Sequence, residues 1–244
     1  LLYMLFMAVT LLINAQEKLQ QAINLLQSIP SSTFVSNEAT EMLKNYQDQT
    51  NQITQTSKIL QDFQEAETLA LEASQLVQNP PHPVETWQTA KIKWQDAIKL
   101  LSKVAQENIA TLEIEKKLKN YQENYQIINN NLAREKSALS NYNQAISLSN
   151  TTAELVKNPP HPIDTWKKAV NQCNQSVNLL KTISSQTIIY PESQAKLIQY
   201  QSNCANLNNR LISEQNALTQ IINAQNLEAQ VLQILKTQPY TITM

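Results

Sequence analysis

Two histidines and two cysteines are the residues of this chain best suited to chemistry, and their surroundings argue against most of it. His82 and His161 are the only histidines. A zinc site needs three or four Cys, His or carboxylate ligands that converge. Each histidine instead stands in a proline-rich segment with no ligand cluster beside it, so linker or helix-capping roles are expected for both. Cys173 and Cys204 are the only cysteines, and both lie late in the chain. Trp87, Trp94 and Trp166 could stack against a ligand, but no polar partners accompany them, and they read as core anchors. The carboxylates Asp96, Glu113, Glu115 and Asp164 are scattered among lysines. Asp96 and Lys99, three residues apart, suggest an ordinary surface pair worth a few tenths of a kcal/mol. No Ser-His-acid, Cys-His or paired-carboxylate arrangement follows from spacing. No catalytic residue, cofactor or metal is therefore expected.

The composition narrows the field further. The chain of 244 residues contains no glycine. Glycine adopts positive φ freely, and tight hairpins and αL helix caps depend on it. Phosphate-cradling loops and nucleophile elbows need it too, so motifs of that kind are excluded. Corners must be turned by Pro, Asn and Ser, which suits helices joined by open linkers. With a net charge of −1, nothing favours nucleic acid, whose phosphates call for clustered Lys and Arg. The abundant Asn and Gln are interleaved with a regular apolar pattern and read as solvated helix surface rather than a prion-like tract.

An internal repeat must position whatever function there is. Asn79-Pro80-Pro81-His82-Pro83-Val84-Glu85-Thr86-Trp87 returns one period later as Asn158-Pro159-Pro160-His161-Pro162-Ile163-Asp164-Thr165-Trp166. Ile98-Lys99-Leu100-Leu101 matches Val177-Asn178-Leu179-Leu180, and Leu118 to Tyr121 matches Leu197 to Tyr200, in the same register. An earlier copy holds Ile23-Asn24-Leu25-Leu26 and Leu43-Lys44-Asn45-Tyr46, matching the same two blocks of the second copy at a slightly shorter period. The difference between the periods falls between Tyr46 and Phe63. It amounts to about one helical turn and keeps the same face.

Each unit reads as a short helix followed by a long one. In the second unit Pro83 suits the first helical position and Glu85 the positive end of the helix dipole. Trp87, Ala90, Trp94, Ala97, Leu101 and Val104 step by three and four along one face. The polar stretch from Gln106 to Thr111 breaks the pattern. Ile114, Leu118, Tyr121, Tyr125, Ile128 and Leu132 then form a heptad seam, resumed at Leu139, Tyr142 and Ile146. A helix over residues 112–156 would be about 65–70 Å long, with Asn129-Asn130-Asn131 as the expected site of a kink. The third unit repeats the seam at Leu197, Tyr200, Cys204, Leu207, Leu211, Leu218 and Ile221. The expected fold is all-α, an elongated solenoid or bundle-like rod whose contacts are local. On this alignment Cys173 takes the slot of Trp94 and Cys204 that of Tyr125. Buried thiols are one reading. A disulfide across the helix pair, the two residues being at similar distances from the intervening turn, is the other and would imply an oxidising compartment.

Trp87, Ala90 and Trp94, followed by an Ala-Ile-x-Leu-Leu block, resemble the first helix of a tetratricopeptide repeat in architecture, although Lys91 stands at the small position and the period differs. The Asn-Pro-Pro-His-Pro…Trp signature with its helix pair more closely resembles tandem helical-repeat proteins of uncharacterised function found in cyanobacteria, some of them membrane-anchored. That resemblance covers most of the chain and brings no activity or binding residues.

Leu1 to Ile13 is apolar and uncharged. It spans roughly 20 Å as a helix, against the ~30 Å of a bilayer core. It is expected to be part of a single-pass N-terminal membrane anchor cut short at Leu1, with a buried core helix or a signal peptide as alternatives. Aligning the first copy on the second puts Leu12, Ala15 and Leu19 in the slots of Trp87, Ala90 and Trp94, so the run feeds into the first repeat. The expected organisation is an apolar helix over 1–13, repeats over 12–83, 84–162 and 163–240, and a tail over 241–244 preceded by Gln238-Pro239-Tyr240. The expected function is a non-enzymatic, membrane-tethered scaffold for an unidentified protein partner, of undetermined oligomeric state. A coiled-coil spacer of a larger protein and the regulatory region of an enzyme are the alternatives, as is a soluble location.

Overall fold

The computed structural model describes residues 2–107 and 112–237. Among them the chain forms helices only: α1 (Leu2–Gln27), α2 (Ser36–Leu76), α3 (Val84–Gln106), α4 (Leu112–Leu155), α5 (Ile163–Lys181) and α6 (Tyr190–Thr237). Short and long helices alternate, as the repeat requires. The helix α4 runs without interruption through Asn129-Asn130-Asn131, where a kink was expected. Residues 108–111 of the polar stretch and the tail from Gln238 onward lie outside the described residues.

The glycine-free chain turns its corners in two ways. At each proline linker an asparagine takes the left-handed conformation, Asn79 at φ 59° and Asn158 at φ 58°. Asparagine enters that region at less cost than other residues with a side chain. Pro83 and Pro162 then lie one position earlier than expected, as N-caps in extended conformation with ψ of 158° and 152°. There a proline's missing N–H costs nothing, while its carbonyl is still free to accept. The Pro83 carbonyl accepts from the amides of Thr86 and Trp87 at 3.1 and 3.2 Å. The other corner has no proline cluster. In the α1–α2 loop the Thr33 hydroxyl donates to the Pro30 carbonyl at 2.8 Å, and in the α5–α6 loop Thr187 donates to Ser184 at 2.7 Å.

The chain divides into two compact units, Leu1–Leu132 and Ala133–Met244. In unit 1 the core joins Ala66, Ala70 and Ala73 of α2, Trp87, Ala90, Trp94, Ala97 and Leu101 of α3, and Tyr121, Ile128 and Leu132 of α4. Small alanines on α2 let the tryptophans of α3 approach closely. Each fully buried aliphatic such as Leu101 contributes about 1.5–3 kcal/mol. Helix α1 lies against α2, with Gln16 donating to Thr54 at 3.2 Å. In unit 2 the core joins Ala138, Tyr142 and Ala145 of α4, Cys173, Val177 and Leu180 of α5, and Tyr200 and Cys204 of α6. Each core thus combines the second half of one long helix, a short helix and the first half of the next long helix.

The N-terminal anchor is not supported. Among the described residues no helix is long and apolar enough to cross a membrane. The apolar stretch passes directly into Gln16, Glu17, Lys18, Gln20 and Gln21 of the same helix, and hydrocarbon would leave those side chains unsolvated. Leu12, Ala15 and Leu19 are instead half-buried.

Candidate functional site

The cysteines are the one sequence-selected pair that the structure brings together. Cys173 on α5 and Cys204 on α6 are joined by a disulfide, with 5.6 Å between their Cα atoms. They stand where unit 1 has Trp94 and Tyr125, two far larger side chains. A cleft of about 330 Å³ lies beside Cys173, lined among others by Ser149, Thr152, Trp166, Ser176 and Arg210.

This cleft is poorly equipped for catalysis. The Ser176 hydroxyl is committed to the Ala145 carbonyl at 2.8 Å, and no histidine or carboxylate lines the wall to activate the other hydroxyls. Arg210 supplies the only lining charge. It pairs with Glu214 at 2.6 Å and lies over the Trp166 ring at 5.5 Å, so its charge is already matched. The Trp166 indole N–H is buried without a partner, as is that of Trp94.

The histidines lie at separate linkers, and each ties its linker back on itself. The His82 Nε2–H donates to the Gln78 carbonyl at 2.8 Å, and His161 to the Lys157 carbonyl at 2.9 Å. Both rings meet the following tryptophan edge-on, 5.5 Å from Trp87 and 5.6 Å from Trp166. Among the described residues no group of His, Cys, Asp and Glu could hold a metal ion. All three tryptophans are buried. Glu113 and Glu115 lie in the first turn of α4, where the dipole favours them. Asp164 pairs with Lys167 at 3.0 Å. Asp96 and Lys99, by contrast, form no ion pair among the described residues. Both are exposed, and a surface pair gains too little to fix two long side chains.

Two buried carboxylates escape sequence reasoning, because an acid on an apolar seam reads as an interruption. Asp62 on α2 is buried and accepts from Lys103 at 2.6 Å and Lys58 at 3.1 Å. Burial alone would raise its pKa, but the hydrogen bonds and charges of the two lysines outweigh it and hold the carboxyl below its ordinary value. Glu135 on α4 accepts from the Ile188 amide at 2.9 Å, at the corner that leads into α6. Burial pushes its pKa up, against the Ile188 amide and the Arg134 charge. Two tyrosines are also shifted, both to about 12. Tyr121 is raised by burial and then by the Glu67 charge. Tyr142 is raised by burial and then by its hydrogen bond to Glu192. Two further ion pairs latch helices together, Lys117 to Glu67 and Lys93 to Glu72.

The surface offers a clearer candidate. The second half of α6 exposes Leu218, Ile221, Leu227, Val231 and Leu235. Shifting back by one repeat places them on Leu139, Tyr142, Leu148, Thr152 and Val156 of α4, and by the same step again on Leu60, Phe63, Leu69, Ala73 and Val77 of α2. Tyr142 is 8 % exposed whereas Ile221 is 57 % exposed. Ala66 and Ala145 are fully buried, while their counterpart Ala224 is exposed. In two copies of the repeat this face lies in or against the core, with Leu139 at its open margin. In the third it is open to solvent. Comparison with protein-family models, curated proteins and solved structures returns no match.

Proposed function

We propose that this chain is a non-enzymatic helical-repeat scaffold whose contacts are made by helix faces rather than by a pocket. The observation that carries this reading is the open seam on α6 from Leu218 to Leu235. Most of a helix's stability comes from packing its apolar face, and contiguous exposed apolar surface marks an interaction site more often than not. Core residues kept at heptad spacing along about five turns of uncovered helix make that face suited to pack against another helix. That segment carries a single charged residue, Glu228, and interface centres are depleted in charge.

A second reading, a spacer within a larger protein, draws on the uninterrupted 44-residue helix α4, which contributes to the cores of both units. The two differ in where contacts form. With a photo-crosslinking amino acid at Ile221 or at the exposed Lys119, the scaffold gives adducts in the native host from Ile221 and only background from Lys119. Background from both positions would leave the spacer as the better description.

A further inference from the structure

The cleft beside Cys173 lies wholly within unit 2. Helix α4 contributes Thr152 and Val156 to it, α5 Trp166 and Cys173, and α6 Leu207 and Arg210. Asn203 and Asn206 of α6 stand exposed at its mouth. Their counterparts one repeat earlier, Asn124 and Ile127 of α4, are also exposed, although a complete repeat follows them. The mouth is therefore not a face that the next repeat covers.

Three features define what would fit. The first is size, since about 330 Å³ lies at the lower end of the roughly 300–1,000 Å³ typical of small-molecule sites. The second is hydrogen bonding. The hydroxyl protons of the inner wall are spent, Thr152 donating to the Leu148 carbonyl at 2.7 Å and Ser176 to the Ala145 carbonyl at 2.8 Å. Among the described lining residues only Trp166, itself 5 % exposed, keeps a buried polar atom without a hydrogen-bond partner. That atom is the indole nitrogen, which can only donate, and a buried donor left unpaired is costly. The third is charge. Arg210 is held by Glu214 at 2.6 Å and lies over the Trp166 ring at 5.5 Å. An anion would have to draw the guanidinium away from Glu214, and a cation would meet it directly. Val156, Leu207 and the disulfide sulfur of Cys173 present apolar surface beside these groups.

We propose that this cleft binds a small, neutral, apolar molecule bearing a carbonyl or similar acceptor, which takes the Trp166 indole N–H. The apolar body lies against Val156, Leu207 and the disulfide. The site is separate from the helix faces that carry the scaffold's protein contacts, and it does not depend on that reading.

Nuclear magnetic resonance of the purified, disulfide-bonded chain tests this directly, because three tryptophans give three indole N–H signals. The probes are naphthamide, naphthoate and naphthamidine of one ring isomer, which share a shape and differ in charge. Naphthamide should move the Trp166 signal with a Kd of roughly 1 mM, the affinity of a fragment this size. Trp87 and Trp94 should stay in place. Naphthoate and naphthamidine should bind more weakly, by about twofold or more. Ala153→Phe sets a ring into the cleft from an exposed position, so circular dichroism should match the parent while the response is lost. Trp166→Phe keeps a ring and removes the donor. Followed through the Val156 methyl signals, its affinity for naphthamide should fall about two- to tenfold.

A Trp166 signal that none of the probes moves overturns the proposal, as does equal movement of all three indoles, which means non-specific adsorption. Binding undiminished in Ala153→Phe places the probe elsewhere and overturns it too. Naphthoate as the tightest binder means an anion site on Arg210 in place of a neutral one. Unchanged affinity in Trp166→Phe removes the indole as the donor, and with it the acceptor that defines the ligand.

Discussion

Trp94 and Cys173 occupy the same place in two copies of one repeat, and the structures around them solve the same packing problem differently. In unit 1 the seam is closed by bulk: Trp94 meets Tyr121 edge-on at 5.2 Å, and Lys91 lies over the Tyr125 ring at 5.7 Å. In unit 2 the tyrosine at 121 is retained as Tyr200, but Trp94 and Tyr125 become Cys173 and Cys204, and a covalent bond replaces the volume. Packing stabilises the folded state directly, whereas a crosslink acts mainly by restricting the unfolded chain. The aromatic unit is therefore held at this slot by the packing of its rings, and the disulfide unit by its crosslink.

The largest expected effect is the loss of the aromatic solution. Trp94→Ala should destabilise unit 1 by about 3–5 kcal/mol, the range for large aromatic truncations in a core. Hydrogen exchange followed by peptide mapping should show faster exchange in α2, α3 and the first half of α4, with α5 little changed. Protection undiminished in α3 would mean that the ring is not holding the seam. Next comes the disulfide. The cysteines are 31 residues apart, and closing a loop of that length is worth about 3–4 kcal/mol in the chain-entropy treatment. The Cys173→Ser, Cys204→Ser double variant should lose that much from unit 2 and become indifferent to reductant, while the parent responds to it. Equal urea midpoints for parent and double variant would mean that the crosslink contributes nothing.

The reach of sequence reasoning follows from what each feature depends on. The three short-long pairs were legible because every third or fourth residue of Trp87 to Val104 is apolar and the linkers repeat almost letter for letter. The division after Leu132 was not, because the heptad runs on through α4 and only the change of neighbours marks it. The replacement of Trp94 by Cys173 was visible in the alignment, but the cleft beside it depends on side-chain volumes in three dimensions. The apolar run at the N-terminus suggests a membrane by its hydropathy, but no described helix is long and apolar enough to cross one, and the helix that carries the run continues into the repeat register at Leu12, Ala15 and Leu19. Asp62 and Glu135 stayed hidden because nothing in a single sequence distinguishes a buried, partnered acid from an exposed one.

Those two acids give the smallest and most discriminating test, since acid should move the units in opposite directions. Stability rises with pH wherever the unfolded chain binds more protons than the folded one. The Asp62 carboxyl is held below its ordinary value of 3.8, so in that interval the unfolded chain binds more. Its contribution to unit 1 is complete above about pH 4 and falls away as the pH drops through the folded value. The Glu135 carboxyl is raised above its ordinary value of 4.5, so between those two values the folded chain binds more. Unit 2 should thus gain stability as the pH falls from neutral toward 4.5, and keep that gain below it. Urea unfolding monitored by hydrogen exchange in each unit should show α5 becoming more protected on mild acidification. Stronger acid should then loosen α2 and α3. Glu135→Gln, which mimics the protonated form, should abolish the gain in unit 2 without touching unit 1, and Asp62→Asn should abolish the loss in unit 1. If both units weaken in parallel and neither substitution alters the slope, the buried acids are not what couples this fold to pH.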